Sequence, residues 1–183
     1  MANISNDMYV ATFDLQAVLS TPCSLVSQIY YMRKLNSYNF TFYNLVNKSG
    51  TCYLWSEVDA KRGSCEIASC IRLQMLSLPE NIKKVILYSD SCTGQNRNQF
   101  IASSCLHAVT NIDHLESIDH KFLESGHTQM ECDSMHSAIE FAKSKTEIFV
   151  PSQWDTVILM ARRKDPYLVV PLKYSDIWDF KQV

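Results

Sequence analysis

Residues 84–90, with the sequence KVILYSD, are the stretch that decides the fold class. Four consecutive apolar or aromatic side chains are typical of a strand that is buried on both faces, as central strands of parallel sheets are. Pro79 ends the segment before this run, and the polar residues 90–98 follow it. The run therefore predicts a central strand of an α/β sheet, with Asp90 at its carboxyl end.

The residues before this strand predict a meander of strands and a helix. The segment YVATFDLQAVL is rich in β-branched and aromatic residues and stops at Ser20, Thr21 and Pro22. Ser49-Gly50 separates two runs that indicate a hairpin, and Ser64 is placed to cap a helix. The extended segments are residues 9–19, 27–35, 38–46 and 51–58, and the helix is residues 65–76.

The residues after this strand predict alternating helices and strands. Pro151 suits the first turn of a helix. We therefore predict an α/β fold with a mixed five-stranded sheet, in which a three-stranded meander precedes alternating helices and strands, flanked by helices. We expect one domain over residues 1–183, with a core at about 8–145 and a C-terminal helix-and-strand extension at about 146–183. The predicted helices are residues 99–109, 131–143 and 151–163, and the strands are 117–123 and 167–170, before a turn around Trp178.

The composition is that of an ordinary globular domain. The chain has 183 residues, of which 46% are hydrophobic and 20% charged, with 4 Gly and 5 Pro. Seven cysteines, an odd number at irregular spacing, argue against a disulfide framework and favour reduced thiols. No apolar run is long enough to span a bilayer, and no signal segment begins the chain, so we expect an intracellular protein without a membrane partner.

Four acidic residues stand at positions that favour a shared site. Asp14 lies within the first predicted strand, Glu66 and Asp133 lie in first turns of helices, and Asp90 ends the central strand. Sites in open α/β sheets lie at the carboxyl ends of strands, where these residues would meet if the first and central strands are neighbours. Such a cluster needs cations, and hard oxygen ligands predict two Mg²⁺ or Mn²⁺ ions.

Each carboxylate also has an alternative role. Glu66 and Asp133 are favoured near helix N-termini by the helix dipole, and Asp90 is common at a turn. Asp14 in an apolar strand needs a partner, which a core arginine or backbone N–H groups would also supply. A zinc site of His127, Cys132 and His136 is a further alternative, but it lacks a fourth ligand.

Several motifs resemble the ribonuclease H superfamily. KRGSCEIASCI resembles its first-helix motif, VILYSDS its fourth strand, ECDSMHSA its last acidic helix, and FDLQ its first-strand aspartate. The resemblance covers roughly the first 145 residues and implies Asp14, Glu66, Asp90 and Asp133 as metal ligands. YSDSCTGQNRN and GHTQMECDSMHSAIE also resemble an uncharacterised domain of animal transposon-derived proteins. Gln16, where proofreading 3′–5′ exonucleases carry a second acid, separates the chain from that group.

Other polar residues are candidates for assisting the chemistry or for contacting nucleic acid. The resemblance implies that His127 assists proton transfer, with an ordinary surface histidine as the alternative. The polar loop before the second helix is suited to hold a phosphate. His136 follows Asp133 by one helical turn, a spacing that directs it towards a metal or a phosphate, with a histidine that only packs as the alternative. The predicted nucleic-acid contacts are Gln16, Gln95, Asn96, Arg97 and His136.

These observations lead to one leading hypothesis and one alternative. The leading hypothesis is a two-metal nuclease or transposase-type core that hydrolyses or transesterifies phosphodiesters in DNA or in an RNA–DNA hybrid, with a nuclear location. The net charge of −2 predicts help in binding from another domain or chain, including a second copy of this one. The alternative is a domesticated, inactive domain that binds DNA or protein.

Overall fold

The computed structural model describes residues 7–24, 33–124 and 129–180. Its centre is a mixed sheet. The strands are β1 (Met8–Leu15), β2 (Leu19–Thr21), β3 (Leu35–Asn44), β4 (Gly50–Ser56), β5 (Lys84–Ser89), β6 (Ser117–Phe122) and β7 (Leu168–Pro171). Their order in the sheet is β6-β5-β1-β3-β4-β7, and the short strand β2 also pairs with β3. The helices are α1 (Ser64–Leu76), α2 (Gln99–Asn111), α3 (Glu131–Lys143) and α4 (Gln153–Met160), before a 3₁₀ turn at Tyr174–Asp176.

The sheet joins an antiparallel meander to parallel strands. β1, β3 and β4 pair antiparallel in sequence order, whereas β5 pairs parallel with β1, and β6 pairs parallel with β5. The predicted α/β class and mixed sheet are therefore confirmed. The central position of the KVILYS strand is confirmed as well, because β5 has a neighbour on each side.

The predicted number of strands, five, is wrong, because the described residues form a sheet of seven strands. The segment predicted as one strand, 9–19, forms two strands, because β1 ends at Leu15 and a separate strand, β2, begins at Leu19. β2 pairs antiparallel with β3. The predicted strand near residues 167–170 is real, but it extends the main sheet by pairing parallel with β4. Most of the predicted segment 27–35 lies outside the described residues, and the helix predicted at 151–163 is shorter, at Gln153–Met160.

Helices cover both faces of the sheet, and β4 shows how. Tyr53 belongs to one hydrophobic cluster, with Ile71 of α1, while its neighbours Cys52 and Leu54 belong to a second cluster, with Trp154 of α4. This alternation is the two-residue period of a strand whose faces are both buried. The first cluster also contains residues of α2, and the second contains residues of α3. The result is a three-layer α/β/α arrangement.

The predicted reduced state of the cysteines agrees with the structure, in which all seven are free. Cys52, Cys70 and Cys132 are buried as small apolar side chains. Within the described ranges, no helix has the length and apolar character needed to cross a membrane.

Candidate metal centre

Asp14 and Asp90 lie on neighbouring strands at the same edge of the sheet. β1 and β5 run parallel with Thr12 opposite Tyr88, and continuing this register by two residues brings Asp14 opposite Asp90. The negative charge of Asp90 contributes to raising the pKa of Asp14. The sequence predicted that these carboxylates would meet if the first and central strands are neighbours. The pairing of β1 with β5 meets this condition.

Helix α3 adds two more side chains to this edge. It packs against β1 and β3, because Met135 and Ile139 are fully buried on one face of the helix. Asp133 and His136 are three residues apart and so lie on one side of the helix. One ligand atom each from Asp14, Asp133 and His136 lies within 4.8 Å of the others. We call these three residues the Asp-Asp-His cluster.

A hydroxyl group on β3 connects two members of the cluster. Thr41 Oγ1 donates a hydrogen bond to the backbone carbonyl of Asp14 at 3.1 Å, and it lies 2.9 Å from His136 Nε2. The other ring nitrogen, Nδ1, lies 4.0 Å from Asp14 Oδ2. The imidazole is therefore held between the Thr41 hydroxyl and the Asp14 carboxylate.

Burial changes the charge states within the cluster. Desolvation raises the pKa of Asp14 to about 6, with further contributions from the charges of Asp90 and Asp133, while Arg62 opposes the rise. Desolvation also lowers the pKa of His136 to about 4, although Asp133 and Glu140 act in the opposite direction. Near neutral pH the imidazole is neutral, as a metal ligand must be.

Asp133 has two roles in this arrangement. Its Oδ2 atom accepts a hydrogen bond from the backbone N–H of Met130 at 2.8 Å, which caps the start of α3. The helix-terminus role considered as an alternative is thus present. The same carboxylate nevertheless contributes to the Asp-Asp-His cluster, so the two roles coexist.

Asp90 and Glu66 lie outside the cluster found among the described residues. Asp90 Oδ1 accepts hydrogen bonds from the side chain of Asn96 and from the backbone N–H of Cys92, which orders the loop after β5. Glu66 Oε1 accepts from the backbone N–H of Lys61, before α1. Of the four predicted carboxylate ligands, Asp14 and Asp133 lie in the cluster, where His136 joins them. Asp90 and Glu66 are not members of the cluster.

The polar loop after β5 borders a cavity of about 690 Å³ between α2 and β6. The Arg97 guanidinium lies 5.4 Å from the Phe122 ring centre, and Asn96 is fully buried. Asn98 caps α2 by accepting from Phe100 and Ile101, while Gln95 belongs to the turn before it. The cavity is lined by Asn96–Gln99, Ala102, Cys105, Leu106, Val109, Ser117, Ile118, His120 and Phe122.

Gln16 occupies an internal position. It is 2% exposed, its Oε1 accepts from Asn39 Nδ2 at 2.9 Å, and its Nε2 lies 3.5 Å from Glu140 Oε1. These bonds connect β1, β3 and α3 beneath the cluster. The other predicted helper, His127, lies outside the described residues.

Of the residues in the zinc alternative, His136 lies in the Asp-Asp-His cluster, Cys132 lies outside it, and His127 lies outside the described residues. Cys132 is fully buried, and its Sγ lies 3.3 Å from the Thr12 hydroxyl and 3.7 Å from the carbonyl of Thr41. Burial raises the pKa of this thiol to about 11. Cys132 therefore serves in packing α3 against the sheet.

Sequence reasoning missed Thr41, and it named His136 as a contact for metal or phosphate without joining it to the four carboxylates. Thr41 follows the alternating pattern of β3, where a threonine is ordinary, so it carried no signal. The spacing from Asp133 to His136 did carry one, because residues i and i+3 share a helix face. In comparisons with protein-family models, with curated proteins and with solved structures, no match was found for this chain.

Proposed function

We propose that the chain is a ribonuclease-H-like domain that cleaves or rejoins phosphodiester bonds of nucleic acid with a bound divalent metal ion. The observation that supports this most directly is the Asp-Asp-His cluster beside Asp90, at the edge where β1 and β5 end. Ligands of α/β sheets lie at the carboxyl ends of parallel strands. The order β6-β5-β1-β3-β4, with its meander and two parallel strands, further supports the proposal.

The donor set of the cluster fits a divalent cation. Two carboxylates and a neutral imidazole meet within 4.8 Å. The pKa of Asp14 is raised chiefly by burial and further by the negative charges of Asp90 and Asp133, which a bound cation would offset. When bound, such an ion polarises the phosphodiester and lowers the pKa of the attacking water or hydroxyl. The cluster is proposed for the first ion, and Asp90 and Glu66 are the residues that a second Mg²⁺ or Mn²⁺ would use.

The residues around the cluster are suited to positioning a substrate. Asn96 fixes Asp90, so the loop that borders the cavity is tied to the metal centre. Arg97 adds positive charge beside the aromatic face of Phe122, a combination that binds a phosphate and stacks on a base. We propose that a single-stranded segment runs from the cluster along this loop, with one base directed to the cavity.

The test is cleavage of labelled single-stranded DNA, duplex DNA and RNA–DNA hybrid with Mg²⁺ or Mn²⁺ at low salt. The native chain is compared with Asp14→Asn, Asp90→Asn and the control Asp119→Asn, an exposed aspartate of β6. We expect metal-dependent cutting that falls at least ~100-fold in the first two variants and stays at the native rate in the control. Equal cutting by native chain and Asp14→Asn would point to a contaminant and overturn the proposal.

The second candidate is an inactive domain that binds DNA or protein. The net charge of −2 favours it, because unaided binding to a phosphate backbone needs a basic surface. Absence of cutting on every substrate, together with metal binding that depends on Asp14, would support this candidate. In either case we propose a nuclear protein whose affinity for nucleic acid comes from another domain, another chain or a second copy.

A further inference from the structure

The contacts of Thr41 bear on where His136 carries its proton. The Thr41 hydroxyl has one hydrogen and donates it to the carbonyl oxygen of Asp14, which can only accept. In this arrangement the Thr41 oxygen, 2.9 Å from His136 Nε2, is free to accept from that nitrogen. The tautomer with the proton on Nε2 satisfies both contacts, and it leaves a lone pair on Nδ1.

This lone pair lies on the side of the carboxylates. Nδ1 is 4.0 Å from Asp14 Oδ2, and the side chains are only 14% and 22% exposed. A nitrogen lone pair facing carboxylate oxygens is unfavourable unless a proton or a cation lies between them. In the tautomer with the proton on Nε2, a cation is the complement that fits between the lone pair and the carboxylates.

We infer that His136 binds the metal directly through Nδ1, that Thr41 is the positioning residue for this bond, and that the site prefers divalent first-row transition ions to Mg²⁺. The inference deepens the proposed function and rests on it for the metal site. A metal-binding histidine commonly donates its second N–H to a neighbouring acceptor, which fixes the ring. Here that acceptor is a threonine hydroxyl supplied by the adjacent strand.

The preference follows from the chemistry of the donors. Mg²⁺ takes oxygen ligands and keeps several waters, whereas imidazole nitrogen suits transition ions. A set of two carboxylates and one imidazole therefore penalises Mg²⁺ and not Mn²⁺ or Fe²⁺. Replacing His136 should lower affinity for Mn²⁺ strongly and affinity for Mg²⁺ much less.

The test uses the full chain and Mn²⁺ alone, with calorimetry for affinity and pulsed electron paramagnetic resonance for the ligand type. Native protein should show ¹⁴N modulation from a directly bound imidazole. His136→Ala should lose it and narrow the ratio of Mn²⁺ to Mg²⁺ affinity at least ~10-fold. The control His107→Ala, a histidine that packs on Trp178, should keep both.

A pair of variants at Thr41 tests the positioning role and remains informative if His136→Ala fails to fold. Thr41→Val keeps the shape without the hydroxyl and should weaken Mn²⁺ binding ~10–100-fold, and Thr41→Ser should restore it. Bound Mn²⁺ without nitrogen modulation in the native chain would overturn the inference, even if cleavage occurs. Nitrogen modulation without cleavage of any substrate would uphold the inference and overturn the proposed activity.

Discussion

At the scale of single residues, the main finding is a set of opposed charge preferences within one cluster. Burial favours a protonated Asp14 and a neutral His136, so each side chain disfavours its own charged form in the metal-free fold. A carboxylate with a raised pKa beside a histidine with a lowered one is common where a site has been built for a ligand. These two shifted pKa values also make the stability of the metal-free chain depend on pH. Mutation of one residue separates its contribution from that of the other.

The two residues act in opposite directions. The folded-state pKa of Asp14 is raised from 3.8 to about 6, so its contribution to stability is present at low pH and is lost as pH rises through 6. The pKa of His136 is lowered from 6.5 to about 4, so its contribution is lost as pH falls from 6.5 towards 4. In the native chain the two contributions largely cancel.

Asp14→Asn should therefore change how stability depends on pH. Relative to the native chain, we expect its free energy of unfolding without metal to rise by about 2 kcal/mol between pH 4 and pH 7.5. Urea unfolding in the presence of a chelator at both pH values measures this difference. Asp119→Asn should follow the native curve, and parallel curves for Asp14→Asn and native chain would contradict the assigned burial of Asp14.

At the scale of elements, the position of α3 decides whether the site exists. The helix carries Asp133 and His136, and its Met135 side chain packs on Gly50, the first residue of β4. A Cβ atom at Gly50 would lie 2.6 Å from Met135 Cε and 2.7 Å from Tyr167 Cδ1. Glycine at this position allows α3 to sit at its observed distance from the sheet.

Gly50→Ala should therefore destabilise the fold and disturb the cluster together. The flexible end of Met135 can move, but the Tyr167 ring cannot move as easily, so we expect a loss of about 1–3 kcal/mol. Thermal unfolding with and without Mn²⁺ measures this loss, at ~2–4 °C for each kcal/mol. Gly94→Ala is the matched control, since a Cβ there meets nothing within 4 Å.

At the scale of the whole molecule, residues 146–180 are part of the sheet and of its second core. β7 extends the sheet beyond β4, and Trp154 is fully buried with its Nε1 donating to Thr21 Oγ1 at 2.8 Å. The same cluster contains Met135 and Ile139 of α3. The predicted core at about 8–145 thus depends on the predicted extension for its packing.

A chain that ends after Lys145 should consequently fail to bind Mn²⁺ and should lose cooperative unfolding. This shortened chain lacks β7 and α4, so the apolar face of α3 and one edge of β4 would be exposed. Trp154→Ala in the full chain is a milder test and should cost about 3–5 kcal/mol. Calorimetric Mn²⁺ titration measures metal binding by both proteins, and urea unfolding of Trp154→Ala measures its loss of stability. Native Mn²⁺ affinity in the shortened chain would show that residues 8–145 are self-sufficient.

Much of the architecture followed from local patterns. The continuous run VILY predicted a central strand, and the alternation in YNFTFYNLV predicted a strand of the meander, because both patterns are typical of strands. The alternation did not predict burial, since the polar side chains of Asn39 and Thr41 are buried as well. The boundaries of α1, α2 and α3 were predicted within about two residues for the same reason. The pairing of β2 with β3 and of β7 with β4 was not predicted, because strand pairing is a long-range contact without a local signal.

For the site, the sequence by itself determined that Asp14 and Asp90 would meet if their strands were neighbours, because parallel strands end at the same edge of a sheet. Only the tertiary structure decided which side chains complete the cluster. It brought His136 in, because the buried side chains of Met135 and Ile139 hold α3 against the sheet, and it left Glu66 and Asp90 outside the cluster. It also placed Thr41, on a different strand, against the imidazole, a contact between residues 95 positions apart that no spacing in the sequence encodes.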